Sequence, residues 1–225
     1  MNTAIIAAAG RGTRFNSNRP KQFLKLLGKP LILHTLEAFE RCSAVQEIVL
    51  VLAADEINDF AAIAESAGIS KLKKIVGGGA SRAESVRNGL EAVDPSAEIV
   101  TVHDGARPLV SVDEIERTIE KATETGVACL VTAVTDTIKT IDGGFITGTV
   151  DRTKLRRALT PQAFQYDILR RILSQVKLDD SVTDECYMAE KMGIEVAIVE
   201  GSPRNIKMTH IDDLKVAELF LRNDV

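Results

Sequence analysis

Cysteine, histidine and long apolar runs are all scarce in this chain of 225 residues. Its three cysteines, Cys42, Cys129 and Cys186, are odd in number, far apart and form no C-x-x-C pair. That pattern excludes a disulfide framework and a cysteine-based zinc site, and leaves buried or incidental thiols in a reducing, cytoplasmic setting as the expectation. His34, His103 and His210 have no serine–carboxylate or metal-ligand spacing around them, so each is read as a packing or surface histidine. No apolar run reaches the length needed to span a bilayer, so no membrane partner is expected. Strand-like sequence begins within three residues of Met1, which leaves no room for a signal or transit peptide. A net charge of −4 gives no general reason to bind nucleic acid, so any basic function must be local. With 45% hydrophobic and 27% charged residues the chain reads as one globular domain over 1–225.

Two well-known phosphate loops are also missing. The P-loop needs G-x-x-x-x-G-K-[ST], but Thr13 and Arg14 follow Gly12. A dinucleotide fingerprint needs a third glycine where Phe15 stands. What does follow the apolar run Asn2–Ile6 is Ala7-Ala8-Ala9-Gly10-Arg11-Gly12-Thr13-Arg14, then Pro20-Lys21-Gln22. Small residues there let backbone N–H groups approach an anion closely, and Arg14 and Lys21 bring two positive charges to the same place. A nucleoside triphosphate suits that combination.

Apolar or β-branched runs at 4–9, 48–53, 99–102, 127–134 and 196–199 alternate with helical periodicity. Pro30 can take a first helical position, with Ile32, Leu33, Leu36 and Phe39 on one face. Val112, Ile115, Ile119 and Ala122 repeat that spacing after Ser111, and Thr209 to Asp212 resembles a capping box before Leu214, Ala217 and Leu221. The alternation predicts an α/β fold with a mainly parallel sheet covered on both faces, its ligands lying beyond the carboxyl ends of the strands. One segment departs from it. Thr137–Ile141 and Phe145–Val150 flank Asp142-Gly143-Gly144, a hairpin signal, and neither run alternates cleanly. A projecting β-arm over 136–152 is predicted, and burying it calls for a second copy of the chain.

Two further segments carry chemistry. Gly77-Gly78-Gly79-Ala80-Ser81-Arg82 ends a strand-like run and can start a helix, placing amides and Arg82 at a nucleotide-base and phosphate site. His103-Asp104-Gly105-Ala106-Arg107-Pro108 follows another strand, where Asp104 can help hold Mg²⁺ or a substrate hydroxyl and Arg107 can fix a phosphate or tie down Asp104.

Taken in series, Ala8-Ala9-Gly10-x-Gly12-x-Arg14, Pro20-Lys21-Gln22, Gly78-Gly79-x-x-Arg82-x-x-Ser85-Val86, His103 to Pro108, Thr160-Pro161-Gln162 and Asn205-Ile206-Lys207 resemble the 2-C-methyl-D-erythritol 4-phosphate cytidylyltransferases. The resemblance runs from about residue 4 to residue 222. It implies a Rossmann-like fold of the nucleotide-diphospho-sugar transferase type, with an exchanged arm joining a homodimer. It further implies Mg²⁺-dependent transfer of CMP from CTP to the sugar-alcohol phosphate in the non-mevalonate isoprenoid route. Carried onto this sequence, Arg14 and Lys21 stabilise the triphosphate, while Arg152 and Lys207 position the methylerythritol phosphate. Ala8, Ala9, Gly10, Gly12, Gly79, Arg82 and Ser85 fall on the nucleotide side. Asp104, Arg107, Thr137 and Thr183 fall on the substrate side, with Asp104 also the metal candidate. Thr137 and Arg152 lie on the arm and so serve the neighbouring subunit. Cys186-Tyr187 stand where small residues belong, which puts the wall of the acceptor pocket in question. A pentitol-phosphate cytidylyltransferase shares the CTP-side motifs, although Arg157-Ala158-Leu159 and the small Gly105-Ala106 favour the methylerythritol enzyme. A non-catalytic nucleotide-binding subunit explains the glycine loops but not the four cations.

Overall fold

The computed structural model describes residues 1–10, 23–175 and 182–223. In chain order, β1 (Asn2–Ala7) leads to the two-residue strands β2 (Lys25–Leu26) and β3 (Lys29–Pro30), then to α1 (Leu31–Arg41) and β4 (Glu47–Leu52). Next come α2 (Ile57–Ser66), β5 (Leu72–Gly77), α3 (Arg82–Ala92), β6 (Ile99–Asp104), α4 (Val112–Thr125) and β7 (Val127–Ala133). The hairpin β8 (Lys139–Asp142) and β9 (Phe145–Thr149) precedes β10 (Arg156–Gln165), α5 (Tyr166–Gln175), α6 (Glu185–Lys191), β11 (Ala197–Glu200) and α7 (Ile211–Asn223).

Seven strands form the main sheet in the order β11-β7-β10-β6-β1-β4-β5. It is parallel except for β10, which runs antiparallel to both β6 and β7. Strand β10 is not among the runs expected from the sequence, and its Pro161 is a residue disfavoured within central strands. The register between β10 and β7 shifts from Ala158 to Gln162, and that irregularity accommodates the proline. Helices cover both faces. Leu36 and Phe39 of α1, Phe60 of α2 and Ile115 and Ile119 of α4 pack in one core cluster. Val86 and Leu90 of α3, Leu169 and Ile172 of α5 and Met188 of α6 pack in another. Ala217 of α7 joins Leu26, Leu31, Ala106 and Met208 in a smaller third cluster.

The helix starts follow local chemistry. Ser111 caps α4 in a full capping box, its hydroxyl accepting from Glu114 N–H while the Glu114 side chain accepts from Ser111 N–H. Pro30 is the residue before α1 rather than its first. At α7 the expected pairing is corrected: Asp213, not Asp212, accepts from the N–H groups of Thr209 and His210 at 2.6 and 2.7 Å, while Asp212 pairs with Lys215.

The hairpin forms its own two-stranded sheet, turning through Gly143 and Gly144 at φ +53° and +85°. Those left-handed values at both central positions match the right-handed twist of the flanking strands and favour glycine. Its side chains are almost all exposed, including Ile141, Phe145 and Ile146 at 74%, 77% and 67%. The three cysteines are buried and free. No helix among the described residues is long and apolar enough to cross a membrane.

Candidate active site

Loops leaving the carboxyl ends of β1, β5 and β6 converge, and backbone hydrogen bonds lace them together. Ala8 N–H donates to Val51 O, Gly78 N–H to Leu52 O and Gly105 N–H to Ala7 O, at 2.8, 2.8 and 2.9 Å. Two glycines permit this approach. A Cβ on Gly78 would sit 2.3 Å from Ala9 Cβ, and one on Gly105 would sit 2.8 Å from Ala8 Cβ and 2.6 Å from Ile32 Cδ1. Gly10 differs, because no described residue lies within 4 Å of a Cβ built there.

The loops enclose a cavity of about 430 Å³. Ala8, Ala9 and Gly10 form one wall, Gly79, Ser81, Arg82 and Ser85 another, and Asp104, Gly105 and Lys207 the floor and far side. Ser81 caps α3 by accepting from Glu84 N–H at 3.1 Å, so the start of that helix faces the cavity. Ser85 Oγ accepts from Gly79 N–H at 3.1 Å and donates to Ser81 O at 2.9 Å, which sets the shape of the glycine loop.

Asp104 is the electrostatic centre. It ends β6 rather than following it, and is buried. Its Oδ1 accepts from Arg82 Nε at 3.2 Å, and its Oδ2 lies 3.4 Å from Arg107 Nε and 2.8 Å from Lys207 Nζ. Burial alone would raise its pKa, but Arg82, Lys207 and Arg107 outweigh that and hold the carboxyl well below the usual range. Lys207 is held from both sides of its own position. Arg107 Nη1 donates to Asn205 O at 2.9 Å, and Met208 N–H donates to Ala106 O at 2.8 Å.

Beneath Asp104, His103 is fully buried with its ring between two acceptor-capable groups. Nε2 lies 3.2 Å from Arg107 O, and Nδ1 lies 3.0 Å from Thr160 Oγ1. Asp104 N–H donates to that same Thr160 Oγ1 at 3.1 Å. Burial pushes the His103 pKa down to about 3, although Asp104 opposes the shift. The packing role expected of His103 holds, and the ring also supports the backbone that presents Asp104 and Arg107.

Of the residues singled out from sequence, Ala8, Ala9, Gly10, Gly79, Arg82, Ser85, Asp104 and Lys207 share this one cavity. Arg107 stands behind Asp104, spent on Asp104 and Asn205. Gly12, Arg14 and Lys21 lie outside the described residues. Thr137 and Arg152 are exposed on the arm side and do not line the cavity, Arg152 donating to Thr135 O. Thr183 is exposed ahead of α6 and does not line it either. Cys186 and Tyr187 do not line this cavity. Cys186 packs in the core with its N–H on Gln162 Oε1 at 3.1 Å, and the Tyr187 ring lies under Lys191. The sequence reading missed Glu185, a buried carboxylate whose Oε1 accepts from Arg82 Nη1 at 2.6 Å. The only local signal was an acidic pair, Asp184-Glu185, at a helix start.

Both oxygens of Asp104 face cations here, at 2.8 to 3.4 Å. Among the described residues no group of three or more His, Cys, Asp or Glu side chains is arranged to hold an ion.

Comparison with known proteins matches this architecture throughout. The family model for 2-C-methyl-D-erythritol 4-phosphate cytidylyltransferase covers residues 2–223. The enzyme of that name from Pelotomaculum thermopropionicum is 43% identical over 222 residues, covering 97% of this chain and 93% of the relative. Its counterpart from Clostridium acetobutylicum is 42% identical over 227 residues, covering 100% and 99%. The crystal structure of 4-diphosphocytidyl-2C-methyl-D-erythritol synthase from Anaerococcus prevotii superposes with a TM-score of 0.85 at 27% identity, covering 99% of this chain and 96% of that one. The chain belongs to the 2-C-methyl-D-erythritol 4-phosphate cytidylyltransferase family.

Proposed function

We propose that this chain transfers the cytidylyl group of CTP to 2-C-methyl-D-erythritol 4-phosphate, releasing pyrophosphate, in isoprenoid precursor synthesis. Family membership over the full length carries the reading, and the cavity chemistry agrees with it. A phosphomonoester oxygen attacks the α-phosphorus, one P–O bond forms, and the bond to the β-phosphate bridging oxygen breaks. The nucleophile is already anionic near neutral pH, its second pKa being about 6, so no general base is required. A neutral, buried His103 beneath the floor is therefore no obstacle. What the reaction needs is relief of repulsion between two polyanions and in-line placement.

We assign the nucleotide to the side of Ala8, Ala9, Gly10, Gly79 and Ser85, and the acceptor phosphate to the side of Lys207 and Asp104. Arg14 and Lys21 are assigned to the triphosphate. Mg²⁺ belongs to this reading as a companion of the triphosphate, where it would supply charge neutralisation. The exposed Ile141, Phe145 and Ile146 support a homodimer joined through 136–152, with Thr137 and Arg152 given to the neighbouring site. Three free thiols support a cytoplasmic location.

The direct test is pyrophosphate release from CTP with 2-C-methyl-D-erythritol 4-phosphate and, separately, with ribitol 5-phosphate. Turnover with the first and little with the second is expected, and the reverse result would reassign the acceptor. Arg14→Ala and Lys21→Ala should each lower kcat at least about a hundredfold, the typical loss of a transition-state charge donor.

A further inference from the structure

Glu185 opens α6 as a fully buried carboxylate. One of its oxygens, Oε1, accepts from Arg82 Nη1 at 2.6 Å, while Oε2 has no hydrogen-bond partner among the described residues. Burial raises its pKa, and Arg82 pulls in the opposite direction. The helix does not need this side chain for its start, because Asp184 supplies the cap by accepting from Tyr187 N–H at 2.8 Å. Nor does the core call for a charge there, since the following Cys186, Met188 and Ala189 pack in an apolar cluster. A buried ion pair is often no more stabilising than apolar side chains of similar volume, and a half-satisfied carboxylate is worse placed than a full one.

What Glu185 does hold is a guanidinium that lines the cavity. Arg82 passes that anchorage on, its Nε donating to Asp104 Oδ1 at 3.2 Å. Asp104 Oδ2 then meets Lys207 Nζ. The result is a chain of alternating charge, Glu185–Arg82–Asp104–Lys207, running from α6 through α3 and β6 to the half-exposed lysine. Arg107 adds a third cation against the two carboxylates, so the cluster is positive overall.

We infer that Glu185 is a positioning residue for the transfer reaction: it fixes Arg82 on Asp104, and so keeps Asp104 and Lys207 set for the acceptor instead of letting Arg82 turn to the triphosphate. This rests on the cytidylyl-transfer reading above. Without the buried anion, Arg82 retains Asp104 as its one ion-pair partner among the described residues and borders the space where a polyanion arrives. A guanidinium so placed binds phosphate oxygens readily, in paired hydrogen bonds. Asp104 then loses the donor on Oδ1, and its partnership with Lys207 loses its frame.

Glu185→Gln keeps the shape and an acceptor oxygen but removes the charge. It is expected to lower kcat/KM for the acceptor by about 10- to 100-fold, the scale of a small misplacement in a bound pair. CTP affinity, measured by calorimetry without acceptor, should be unchanged or tighter. A purely structural residue would instead weaken CTP binding along with the acceptor kinetics. Glu185→Leu, which fills the same space without charge, should lower Tm because it leaves Arg82 without its buried partner, and should show the same acceptor defect. Paired with Arg82→Gln, Glu185→Gln should add little to the loss that Arg82→Gln causes alone, because both break one strut. Additive losses, acceptor kinetics within twofold of wild type, or failure of both Glu185 variants to fold would each overturn the assignment. Wild-type turnover is the control: no product there refutes the transfer reading itself, whereas normal wild-type turnover with unaffected variants refutes only the role of Glu185.

Discussion

Lys207 Nζ lies 2.8 Å from Asp104 Oδ2, so the segment between β11 and α7 is tied to the end of β6 by an ion pair at the cavity floor. Among the described residues Asp104 is the one anion shared by Lys207, Arg82 and Arg107. Replacing it by asparagine leaves three cations without that partner in a largely dry setting. Asp104→Asn should cost about 3–5 kcal/mol in urea unfolding at pH 7, the range for breaking a buried pair from one side. The pH dependence has a definite sign. The folded pKa of Asp104 is depressed, so its contribution is present above the unfolded value near 3.9 and is lost as pH falls below it. Glu185 has the opposite sign, its folded pKa being raised, so the difference between wild type and variant is the useful curve. That gap should be constant between pH 7 and 5 and narrow below about pH 4. A gap that widens in acid would contradict the ion-pair account.

The His103 ring makes a second prediction, about a proton. Arg107 O only accepts, so Nε2 must carry the hydrogen, and a neutral ring then leaves Nδ1 to accept from the Thr160 hydroxyl. Nitrogen-15 NMR of labelled histidine should show the Nε2–H tautomer, unchanged from pH 7.5 down to the lowest pH at which the fold persists. Because the folded pKa falls to about 3, the unfolded chain alone takes up this proton between roughly pH 6.5 and 3. Stability should therefore fall with pH in that window, by at most about 1.4 kcal/mol per unit from this group. In His103→Gln that part of the slope should vanish. An imidazolium signal in the native protein at pH 5 would remove the argument.

The small-residue wall of the cavity was readable from sequence because small residues after an apolar strand suit a close approach at a sheet's carboxyl edge. Ala8, Ala9, Gly10 and Gly79 meet there as expected. The alternation of strands and helices also carried the sheet and both of its covered faces. Three things did not show in the sequence, each because it depends on partners distant along the chain. Strand β10 is held by β6 and β7 across an irregular register, so tertiary pairing overrides the proline that spoils its local pattern. Glu185 gains its meaning only from Arg82, 103 residues away. Gly78 and Gly105 are a third case: neither has a left-handed φ, and both are required by contact with Ala9 and Ala8, which no local pattern shows.

That last distinction separates two kinds of glycine by experiment. At Gly105 an added Cβ meets Ile32 Cδ1 at 2.6 Å and Ala8 Cβ at 2.8 Å, so Gly105→Ala should destabilise the fold by about 1–3 kcal/mol through overpacking. At Gly10 an added Cβ meets nothing within 4 Å among the described residues, so Gly10→Ala should change unfolding free energy by no more than about 0.5 kcal/mol. Its effect should appear instead as a raised KM for CTP, because the methyl group intrudes on the cavity. Equal thermal shifts for the two variants would show that the first loop is shaped by the chain and not by its ligand.

The arm supplies a test of assembly. Arg152 lies outside the chain's own cavity, whereas Lys207 lines it. If the arm completes the neighbouring site, one chain contributes Lys207 and its partner contributes Arg152 to each reaction centre. Lys207→Ala and Arg152→Ala should each weaken acceptor use strongly, measured as kcat/KM at low acceptor concentration. Mixed in equal amounts, unfolded and refolded together, they should recover about a quarter of wild-type activity, since half of randomly paired dimers are mixed and each of these holds one intact site. An arm acting within its own chain gives no recovery on mixing, because every site then carries one of the two defects. Phe145→Ser combined with Ile146→Ser should abolish the recovery and shift sedimentation towards monomer. Both side chains are largely exposed in the single chain, so the double variant should keep its Tm in dilute solution where dimers are absent. A wild-type protein that sediments as a monomer at micromolar concentration would refute the trans arrangement outright, and with it the assignment of Thr137 and Arg152 to a neighbour's site.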